Sequence, residues 1–349
     1  MKAEIAVNGR FLRRPITGVE RYATEILAHL PGTVAVIRPP SAAQGVKGHL
    51  WEQVSLPRRL PKEVTLWSPA NTGPLAVTNQ VLTLQDLAPL EHPEWYQPAF
   101  AWWYRFFLPI LAQRVRRIVS SSEYTRQKVL ARFHLTPERV RVVPGGVDKS
   151  CFYPAATRAS GGIPPTGAVG QEYLLFVGSL EPRKNLPLLL SAWGEIQGHY
   201  PGVSLVIAGA GEKQNRSRVF QEVSFPKGLE RVRFLGYVPE ADLPRLYAEA
   251  AALVFPSLDE GFGLPALEAM ASGVPVIASN AGALPEITGG AALLFDPRQA
   301  GSLSAALDEC LGSPELRRRL REKGLERASQ YSWEVSAERM WEILEEAHG

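Results

Sequence analysis

The chain has 349 residues, a length that predicts about two domains rather than one continuous core. Its 45% hydrophobic and 21% charged residues are ordinary for a folded protein, and its net charge of +3 is too small to indicate a nucleic-acid partner. Two distant cysteines, Cys151 and Cys310, indicate neither a disulfide framework nor a metal cluster.

The first half of the chain alternates strand-like and helix-like segments. Short apolar runs predict strands at 4–8, 33–37, 64–67, 81–84, 118–120 and 140–143. Apolar residues at helical spacing predict helices at 18–30, 98–112 and 123–133. Such alternation favours a parallel sheet that is covered by helices on both faces.

Residues 155–170 interrupt this alternation with a run of glycine, proline and small polar residues, which predicts a linker or surface loop. The alternation then resumes, with strands predicted at 173–177, 204–208, 232–235, 253–256 and 274–278. Helices are predicted at 187–197, at 243–250 and over much of the remainder. Two parallel-sheet domains would place a ligand cleft at the carboxyl ends of their strands.

The most informative motif is a pair of glutamates, Glu260 and Glu268, around a glycine-containing bend that leads into a short predicted helix. The backbone amides of Gly261, Phe262 and Gly263 would lie at the helix N-terminus, where the helix dipole favours an anion. A phosphate site between two hydroxyl-binding carboxylates suits a sugar nucleotide. Glutamate near a helix start is also common on ordinary surface helices, and the pair alone does not decide between these interpretations.

A second motif, Arg183-Lys184, follows the strand predicted at 173–177. Loops at the carboxyl ends of strands bind ligands in α/β proteins. Arginine offers a planar fork and lysine a point charge to phosphate oxygens. An Arg-Lys pair in a loop is frequent on ordinary surfaces, so it is the combination with the glutamate pair that favours diphosphate binding.

The spacing from Glu260 to Glu268 is the E-x7-E motif, and together with Arg183-Lys184 it resembles the pattern of retaining glycosyltransferases of family 4. The resemblance extends over nearly the whole chain. It implies the α/β GT-B architecture, with two Rossmann-like, doubly wound parallel-sheet domains and a cleft between them. Residues 1–165, with a final helix at 333–349, would bind the acceptor, and residues 171–332 would bind the nucleotide-sugar donor.

The resemblance also implies roles for the donor-side residues. Glu260 would contact the donor sugar, Glu268 the ribose hydroxyls, and Arg183 and Lys184 the diphosphate. Asp86, near the acceptor, would complete the catalytic set with Glu260, Arg183 and Lys184. The nucleotide would also contact Gly178, Val238, Gly261, Phe262, Gly263 and Leu264.

On the acceptor side, Gly18, Ser122 and Gly145 lie in segments that resemble family loops. Gly18 and Ser122 also fit ordinary helix starts, with Ser122 as an N-cap. The pair Gln85-Asp86 departs from the family, whose members commonly have His-Asp there, with the histidine on the donor sugar. Glutamine can donate and accept hydrogen bonds but cannot titrate, so the identity of the sugar stays open.

Residues 95–117 combine eight aromatic side chains with a group of arginines at the end of the segment, Arg114, Arg116 and Arg117. A helix that is apolar on most sides is usually buried. The alternative is an interfacial helix on a membrane from which a lipid-linked acceptor is drawn. Glu4 interrupts the apolar run that a signal peptide needs, and no segment reaches the roughly 18 apolar residues of a membrane span. We therefore expect a cytoplasmic protein. If the aromatic segment is an interfacial helix, the protein would contact the inner face of the cell membrane.

The resemblance implies a retaining hexosyltransferase of polysaccharide biosynthesis. It would move a hexose, mannose by preference, from GDP-mannose or UDP-glucose to a hydroxyl of a glycan or lipid-linked glycan. The six histidines show no metal-ligand spacing and the sequence contains no Asp-x-Asp, so we predict no metal site. No Gly-x-Gly-x-x-Gly follows a predicted strand, which argues against a dinucleotide cofactor. The alternatives are a phosphorylase or epimerase that acts on sugar nucleotides, and a non-catalytic protein of the membrane surface.

Overall fold

The computed structural model describes residues 4–14, 16–40, 45–61, 63–154, 172–209, 228–299 and 301–348. They form two compact units. The first comprises Met1–Gly146 with Tyr331–Gly349, and the second comprises Val147–Gln330. The linker predicted at 155–170 lies outside the described residues.

The first unit is built on a six-stranded parallel sheet with the order β2-β1-β3-β4-β5-β6. Its strands are β1 (Ile5–Asn8), β2 (Ala35–Ile37), β3 (Thr65–Ser68), β4 (Gln80–Leu84), β5 (Arg117–Ser120) and β6 (Val140–Val142). Its helices are Gly18–His29, Gly45–Leu50, Trp51–Ser55 (a π turn), Leu56–Arg59, Ala88–Glu91, Pro98–Arg114, Glu123–Phe133 and Trp333–His348.

The helices pack on this sheet through apolar faces. In helix Gly18–His29, Tyr22 is buried, and its hydroxyl donates to the carbonyl of Val143 at 2.9 Å. The final helix belongs to the same unit, since the ring of Trp333 meets that of Tyr22 edge-on at 6.0 Å. A side chain on Gly146 would lie 2.4 Å from the backbone nitrogen of Trp333, so this glycine permits the close approach of the final helix.

The second unit has its own six-stranded parallel sheet with the order β12-β11-β10-β7-β8-β9. Its strands are β7 (Glu172–Val177), β8 (Val203–Ala208), β9 (Val232–Gly236), β10 (Ala252–Phe255), β11 (Val276–Ser279) and β12 (Ala292–Phe295). Its helices are Leu186–Ile196, Leu243–Ala248, Leu264–Ala271, Leu284–Thr288, Ser302–Gly312 and Pro314–Ser329. Strands β8 and β10 are buried along their whole length, as expected for a parallel sheet with both faces covered.

The predicted alternation of strands and helices is confirmed in both units, with ends that shift by a few residues. The short helix Ala88–Glu91, the helical run from Gly45 to Arg59 and strand β12 were missed. The helical run from Gly45 to Arg59 starts at a glycine and passes through a π turn, which obscures its period. Strand β12 is a partly exposed edge strand of only four residues. In the described part of the chain, no helix is long and apolar enough to cross a membrane.

Candidate functional site

Two loops meet at the carboxyl edge of the second sheet. Strand β7 lies beside β10, although the chain forms β8 and β9 between them. The chain therefore winds outward in opposite directions from this pair, and such a switch point opens a crevice in which parallel sheets bind ligands. The loop with Arg183 and Lys184 leaves β7, and the loop with Glu260 leaves β10.

The two predicted phosphate-binding cations contact the first glutamate of the motif. Arg183 Nη1 donates to Glu260 Oε2 at 2.7 Å, and Lys184 Nζ donates to Glu260 Oε1 at 2.6 Å. Arg183 Nε also donates to Glu181 Oε2 at 3.2 Å. Both Glu260 and Lys184 are buried. We call Arg183, Lys184 and Glu260 the trio.

The electrostatics of the trio follow from this pairing. Burial by itself raises the pKa of the Glu260 carboxyl, but the charges of Arg183 and Lys184 outweigh it and lower that pKa to about 2. Burial lowers the pKa of Lys184, and Glu260 opposes that effect. At neutral pH an ionised carboxylate thus holds two basic side chains at fixed positions.

The loop after β7 is shaped by glycines. The aliphatic stem of Lys184 passes over Gly178, where an added Cβ would lie 3.5 Å from Lys184 Cδ. A Cβ on Gly209, directly after β8, would lie only 1.8 Å from the carbonyl oxygen of Gly178, so a side chain is excluded there. Gly209 was not predicted, although a glycine directly after a predicted strand is a usable signal. The backbone N–H of Leu258 donates to the Arg183 carbonyl at 2.7 Å and links the two loops.

Glycines also fix the backbone around Glu260. Gly263 precedes helix Leu264–Ala271 with a φ of 116°, a conformation that favours glycine. Gly282 has a φ of 65°, and a Cβ there would lie 2.5 Å from the Glu260 backbone nitrogen. The N–H of Ala283 donates to the Glu260 carbonyl at 2.8 Å. Gly282 was also missed, because only the folded chain brings the loop after β11 against Glu260.

The other predicted donor residues lie around these loops in the second unit. Glu268 is the fifth residue of helix Leu264–Ala271 and is buried, as are Phe262 and Leu264. Val238 follows β9 and is partly exposed. Thus the structure joins Arg183, Lys184 and Glu260 directly, and it places Glu268 on the helix that begins at the same bend.

In the first unit, Gln85 connects the loops that carry the predicted acceptor residues. Its side-chain Nε2 donates to the carbonyl of Val19 at 3.2 Å, and its N–H donates to Asn71 Oδ1 at 2.8 Å. Its carbonyl accepts from the hydroxyls of Ser121 and Thr125, at 3.4 and 3.3 Å. Gln85 therefore holds the end of β4 against the start of helix Gly18–His29 and the turn after β5.

The remaining acceptor-side residues have identifiable local roles. Ser122 is the N-cap of helix Glu123–Phe133, with its Oγ accepting from the Thr125 N–H at 3.1 Å. Gly18 opens helix Gly18–His29, and a Cβ there would meet no atom within 4 Å. Gly145 is buried. Asp86 Oδ1 accepts from the N–H of Ala88 at 3.2 Å, which positions the turn after β4.

A buried polar network at the switch point of the first sheet was not predicted. Strands β1 and β3 are neighbours there. Asn8 Nδ2 and Arg10 Nη1 donate to the two oxygens of Glu52 at 2.7 and 2.9 Å, and Arg10 Nη1 also donates to Thr72 Oγ1 at 2.9 Å. Asn8 ends β1 and Thr72 lies in the loop after β3, and a polar residue at such a position is a usable signal, whereas Glu52 lies in the helical run that was missed.

Among the residues that the structure describes, no group of three or more histidine, cysteine, aspartate or glutamate side chains could hold a metal ion. At the second sheet, the trio offers two fixed cations and a carboxylate.

Two family models match the chain. The model described as "Glycosyl transferases group 1" matches residues 165–327, and "Glycosyltransferase Family 4" matches residues 63–150. The first match contains the trio and Glu268, and the second contains Gln85, Asp86, Ser122 and Gly145.

Curated relatives are similar over most of the chain. The O-antigen chain mannosyltransferase B of Escherichia coli is 31% identical over 75% of this chain and 68% of its own length. The MMP alpha-(1->4)-mannosyltransferase of Mycolicibacterium hassiacum is 30% identical over 72% of this chain and 60% of its own length. The D-inositol 3-phosphate glycosyltransferase of Segniliparus rotundus is 30% identical over 64% of this chain and 50% of its own length. The matched stretches thus span between half and about two thirds of these relatives.

Solved structures share the fold at lower identity. Sucrose-phosphate synthase from Thermosynechococcus elongatus has a TM-score of 0.74 at 19% identity, covering 98% of both chains. Anabaena HepE, solved in complex with UDP and glucose, has a TM-score of 0.73 at 18% identity, covering 99% of this chain and 100% of its own. The expected GT-B fold class is confirmed.

Proposed function

The chain belongs to the glycosyltransferases, with a group 1 match and a family 4 match, and we propose that it is a hexosyltransferase that uses a nucleoside-diphosphate sugar. The acceptor would be a hydroxyl of a glycan or lipid-linked glycan. The single observation that carries this proposal is the trio at the switch point, where Arg183 and Lys184 are fixed by Glu260.

The trio suits the departure of a nucleoside diphosphate. Negative charge grows on the leaving diphosphate as its bond to the sugar breaks. Cations that are already held in place stabilise this transition state more than the ground state, because no reorganisation is needed. The amides near Gly261, Phe262 and Gly263 would add donors at the start of the following helix. Glu260 would also contact the sugar, and Glu268 the ribose.

We further propose that the reaction retains the anomeric configuration and needs no divalent metal. The acceptor oxygen would bond to the anomeric carbon on the face from which the diphosphate departs, and a diphosphate oxygen would accept the proton of the acceptor hydroxyl. No strong protein base is then required. Arg183 and Lys184 would supply the charge compensation that a metal provides in other transferases.

Mannose is the favoured sugar. Two of the relatives above are mannosyltransferases, which supports GDP-mannose before UDP-glucose as the donor. Gln85, which stands where family members commonly have histidine, would offer its amide to the sugar. Its hold on the Val19 carbonyl would keep that amide at the acceptor-side loops.

A panel of sugar nucleotides tests this proposal. We expect GDP-mannose to raise the unfolding temperature most and to release GDP when glycan acceptors are added, with or without EDTA. The product should keep the anomeric configuration of the donor, as read by NMR. A phosphorylase would instead require orthophosphate, and an epimerase would change the sugar without releasing a nucleoside diphosphate. Either result, or no turnover of any sugar nucleotide, would contradict the proposal.

A further inference from the structure

A small cavity opens at the carboxyl edge of the first sheet, where β1 and β3 are neighbours. The chain continues from β1 to one side of the sheet and from β3 to the other, so this is the switch point at which a parallel sheet binds ligands. The cavity holds about 10 Å³, which is room for a single oxygen-sized atom. Its lining includes two polar residues near the strand ends, Asn8 and Thr72, and two basic residues of the segment after β1, Arg10 and Arg14. We call it the arginine cavity.

A buried carboxylate fixes Arg10 at this cavity. Glu52 Oε2 accepts from Arg10 Nη1 at 2.9 Å, and Glu52 Oε1 accepts from the side chains of Asn8 and Thr72 at 2.7 and 3.2 Å. The same Arg10 nitrogen also donates to Thr72 Oγ1 at 2.9 Å. Both oxygens of Glu52 are therefore occupied. Among the described residues, these are the only bonds of the Arg10 guanidinium, so its other N–H groups are available to a ligand.

Arg14 is paired with a second buried carboxylate in the same way. Its Nε lies 3.1 Å from Glu20 Oε1, and Glu20 Oε2 accepts from the N–H of Thr17 at 3.2 Å at the start of the following helix. The side chain of Arg14 is 45% exposed against 11% for that of Arg10, so Arg14 is the more accessible of the two. Within the described ranges, nothing else pairs with Arg14, and its two terminal nitrogens can bind a ligand.

The two arginines dominate the electrostatics around the cavity. Tyr104 lies on the buried face of the aromatic helix, and burial raises the pKa of its hydroxyl. The charges of Arg14 and Arg10 lower that pKa, and they act more strongly than the two nearby acids that raise it. Burial and the same two arginines lower the pKa of His49 to about 3, so this histidine is neutral at pH 7. The surroundings of the cavity therefore favour an anion.

The arginine cavity adjoins the residues that were predicted to bind the acceptor. The N–H of Gln85 donates to Asn71 Oδ1 at 2.8 Å, and Asn71 directly precedes Thr72 in the cavity lining. Gln85 Nε2 donates at 3.2 Å to the carbonyl of Val19, which directly precedes Glu20, the partner of the more exposed arginine. Gln85 is thus bonded to the neighbours of two residues that build the cavity, and a ligand there would lie beside the acceptor-side loops.

Two guanidinium groups held at one cavity suit a phosphate. A carboxylate has two oxygens and is matched by one guanidinium fork, whereas a phosphate monoester or a diphosphate has three or more and can face both arginines. We propose that the arginine cavity binds a phosphate carried by the acceptor, so that the chain glycosylates a sugar phosphate or a lipid-linked sugar diphosphate and not a neutral glycan. One phosphate oxygen would enter the cavity beside Arg10, and the others would face Arg14. That the ligand is an acceptor rests on the proposed function, whereas phosphate binding at the cavity does not.

Titration calorimetry with α-mannose 1-phosphate tests the proposal on the full chain. The wild type should bind it about tenfold or more tightly than methyl α-mannoside, which lacks the phosphate, and than glucuronate, which carries a carboxylate. Arg14→Ala should lower the affinity by about tenfold or more, as expected for loss of a charged hydrogen bond. The matched control is Arg13→Ala, which removes the same charge from an exposed neighbour outside the cavity lining. It should bind like the wild type.

Arg183→Ala separates the arginine cavity from the trio, which also suits phosphate. This variant should bind α-mannose 1-phosphate like the wild type. Farnesyl-diphosphate-linked mannose distinguishes the two sources of the phosphate, because tighter binding than that of α-mannose 1-phosphate indicates a lipid-linked acceptor and weaker binding indicates a free sugar phosphate. In either case the binding should depend on Arg14. Unfolding temperatures close to that of the wild type would show that the variants fold.

The proposal is overturned if neither phosphate ligand binds, if methyl α-mannoside or glucuronate binds as tightly, or if Arg14→Ala and Arg13→Ala lose equal affinity. It is also overturned if Arg183→Ala loses the binding that Arg14→Ala keeps, because the phosphate would then lie at the trio. The proposed function has a separate readout, since Arg14→Ala should bind nucleoside diphosphates like the wild type. Failure of the wild type to bind any nucleoside diphosphate would contradict that function alone, and Arg14-dependent binding of the sugar phosphate would still support the phosphate site.

Discussion

Replacement of Arg183 by alanine probes the proposed diphosphate site. The change removes a guanidinium that donates to Glu260 at 2.7 Å and to Glu181 at 3.2 Å. Lys184 still pairs with Glu260 at 2.6 Å, so the buried carboxylate keeps a cationic partner. We expect a loss of about 1.5–3 kcal/mol in the free energy of unfolding, the scale of the charged hydrogen bond to Glu260, because the pair with the exposed Glu181 adds little. Such a loss leaves a typical domain folded.

The effect on turnover should be larger than the effect on stability. Loss of one fixed donor to a developing negative charge lowers kcat by roughly two to three orders of magnitude, or about 2.7–4 kcal/mol. The assay is release of nucleoside diphosphate from the donor that the panel identifies, at saturating donor and acceptor. Arg183→Lys should recover only part of the rate, because lysine keeps the charge but not the planar fork.

The matched control is Arg231→Ala. Arg231 lies in the same unit, its side chain is 28% exposed against 20% for Arg183, and it also pairs with a glutamate, Glu230. It directly precedes β9 and so lies at the amino edge of the sheet, opposite the trio. This variant should lose stability without a comparable loss of kcat. A near-wild-type kcat for Arg183→Ala, or equal losses for the two variants, would refute the role of Arg183.

Three further predictions concern the same loops. Glu268→Gln should weaken nucleoside diphosphate binding about tenfold by calorimetry, as expected for loss of one hydrogen bond to the ribose; unchanged affinity would argue against that role. Glu260 has a folded-state pKa of about 2, below its ordinary 4.5, so its contribution to stability is complete above pH 4.5 and is lost as the pH falls towards 2. The free energy of unfolding of Glu260→Gln, measured by calorimetry, should accordingly fall less steeply than that of the wild type as the pH decreases across this range. An equally steep fall in both proteins would contradict the assigned pKa. Gly282→Ala should destabilise the chain by more than the roughly 1–3 kcal/mol of backbone strain alone, because its Cβ would meet the Glu260 backbone. The control is Gly290→Ala, which has a φ of 80° and open space around its Cβ and should therefore lose only the free energy of the backbone strain. Equal losses of unfolding free energy for the two variants, measured by chemical denaturation, would refute the contact between the added Cβ at 282 and the Glu260 backbone.

Much of the fold could be predicted from the sequence because buried parallel strands are short, apolar and bounded by loops. Strand β10 is an example, since Ala252–Phe255 is continuously apolar and fully buried. The helical run from Gly45 to Arg59 was missed because a π turn shifts the period of its apolar residues. Glu52 lies in this run and was therefore not predicted as a buried residue. Its burial depends on contacts with Asn8 and Thr72, which are distant in sequence.

The candidate site was predicted as residues rather than as an arrangement. Arg183 and Glu260 were each assigned to the donor, but they are 77 residues apart and their contact depends on β7 lying beside β10. Local periodicity predicts that strands exist, not which of them are neighbours. For the same reason, the close approach of Gly282 to Glu260 and of Gly209 to Gly178 could not be predicted from spacing.

Calorimetric titration with GDP, UDP and ADP tests the central claim most directly, because it asks whether the trio binds a nucleoside diphosphate. We predict that at least one of the three binds the wild-type chain with a stoichiometry of one. Its affinity should fall by about tenfold or more in Arg183→Ala, as expected for a lost charged hydrogen bond, and stay unchanged in Arg231→Ala. Binding of none of the three, or binding by Arg183→Ala as tight as that of the wild type, would contradict a nucleoside-diphosphate site at the trio.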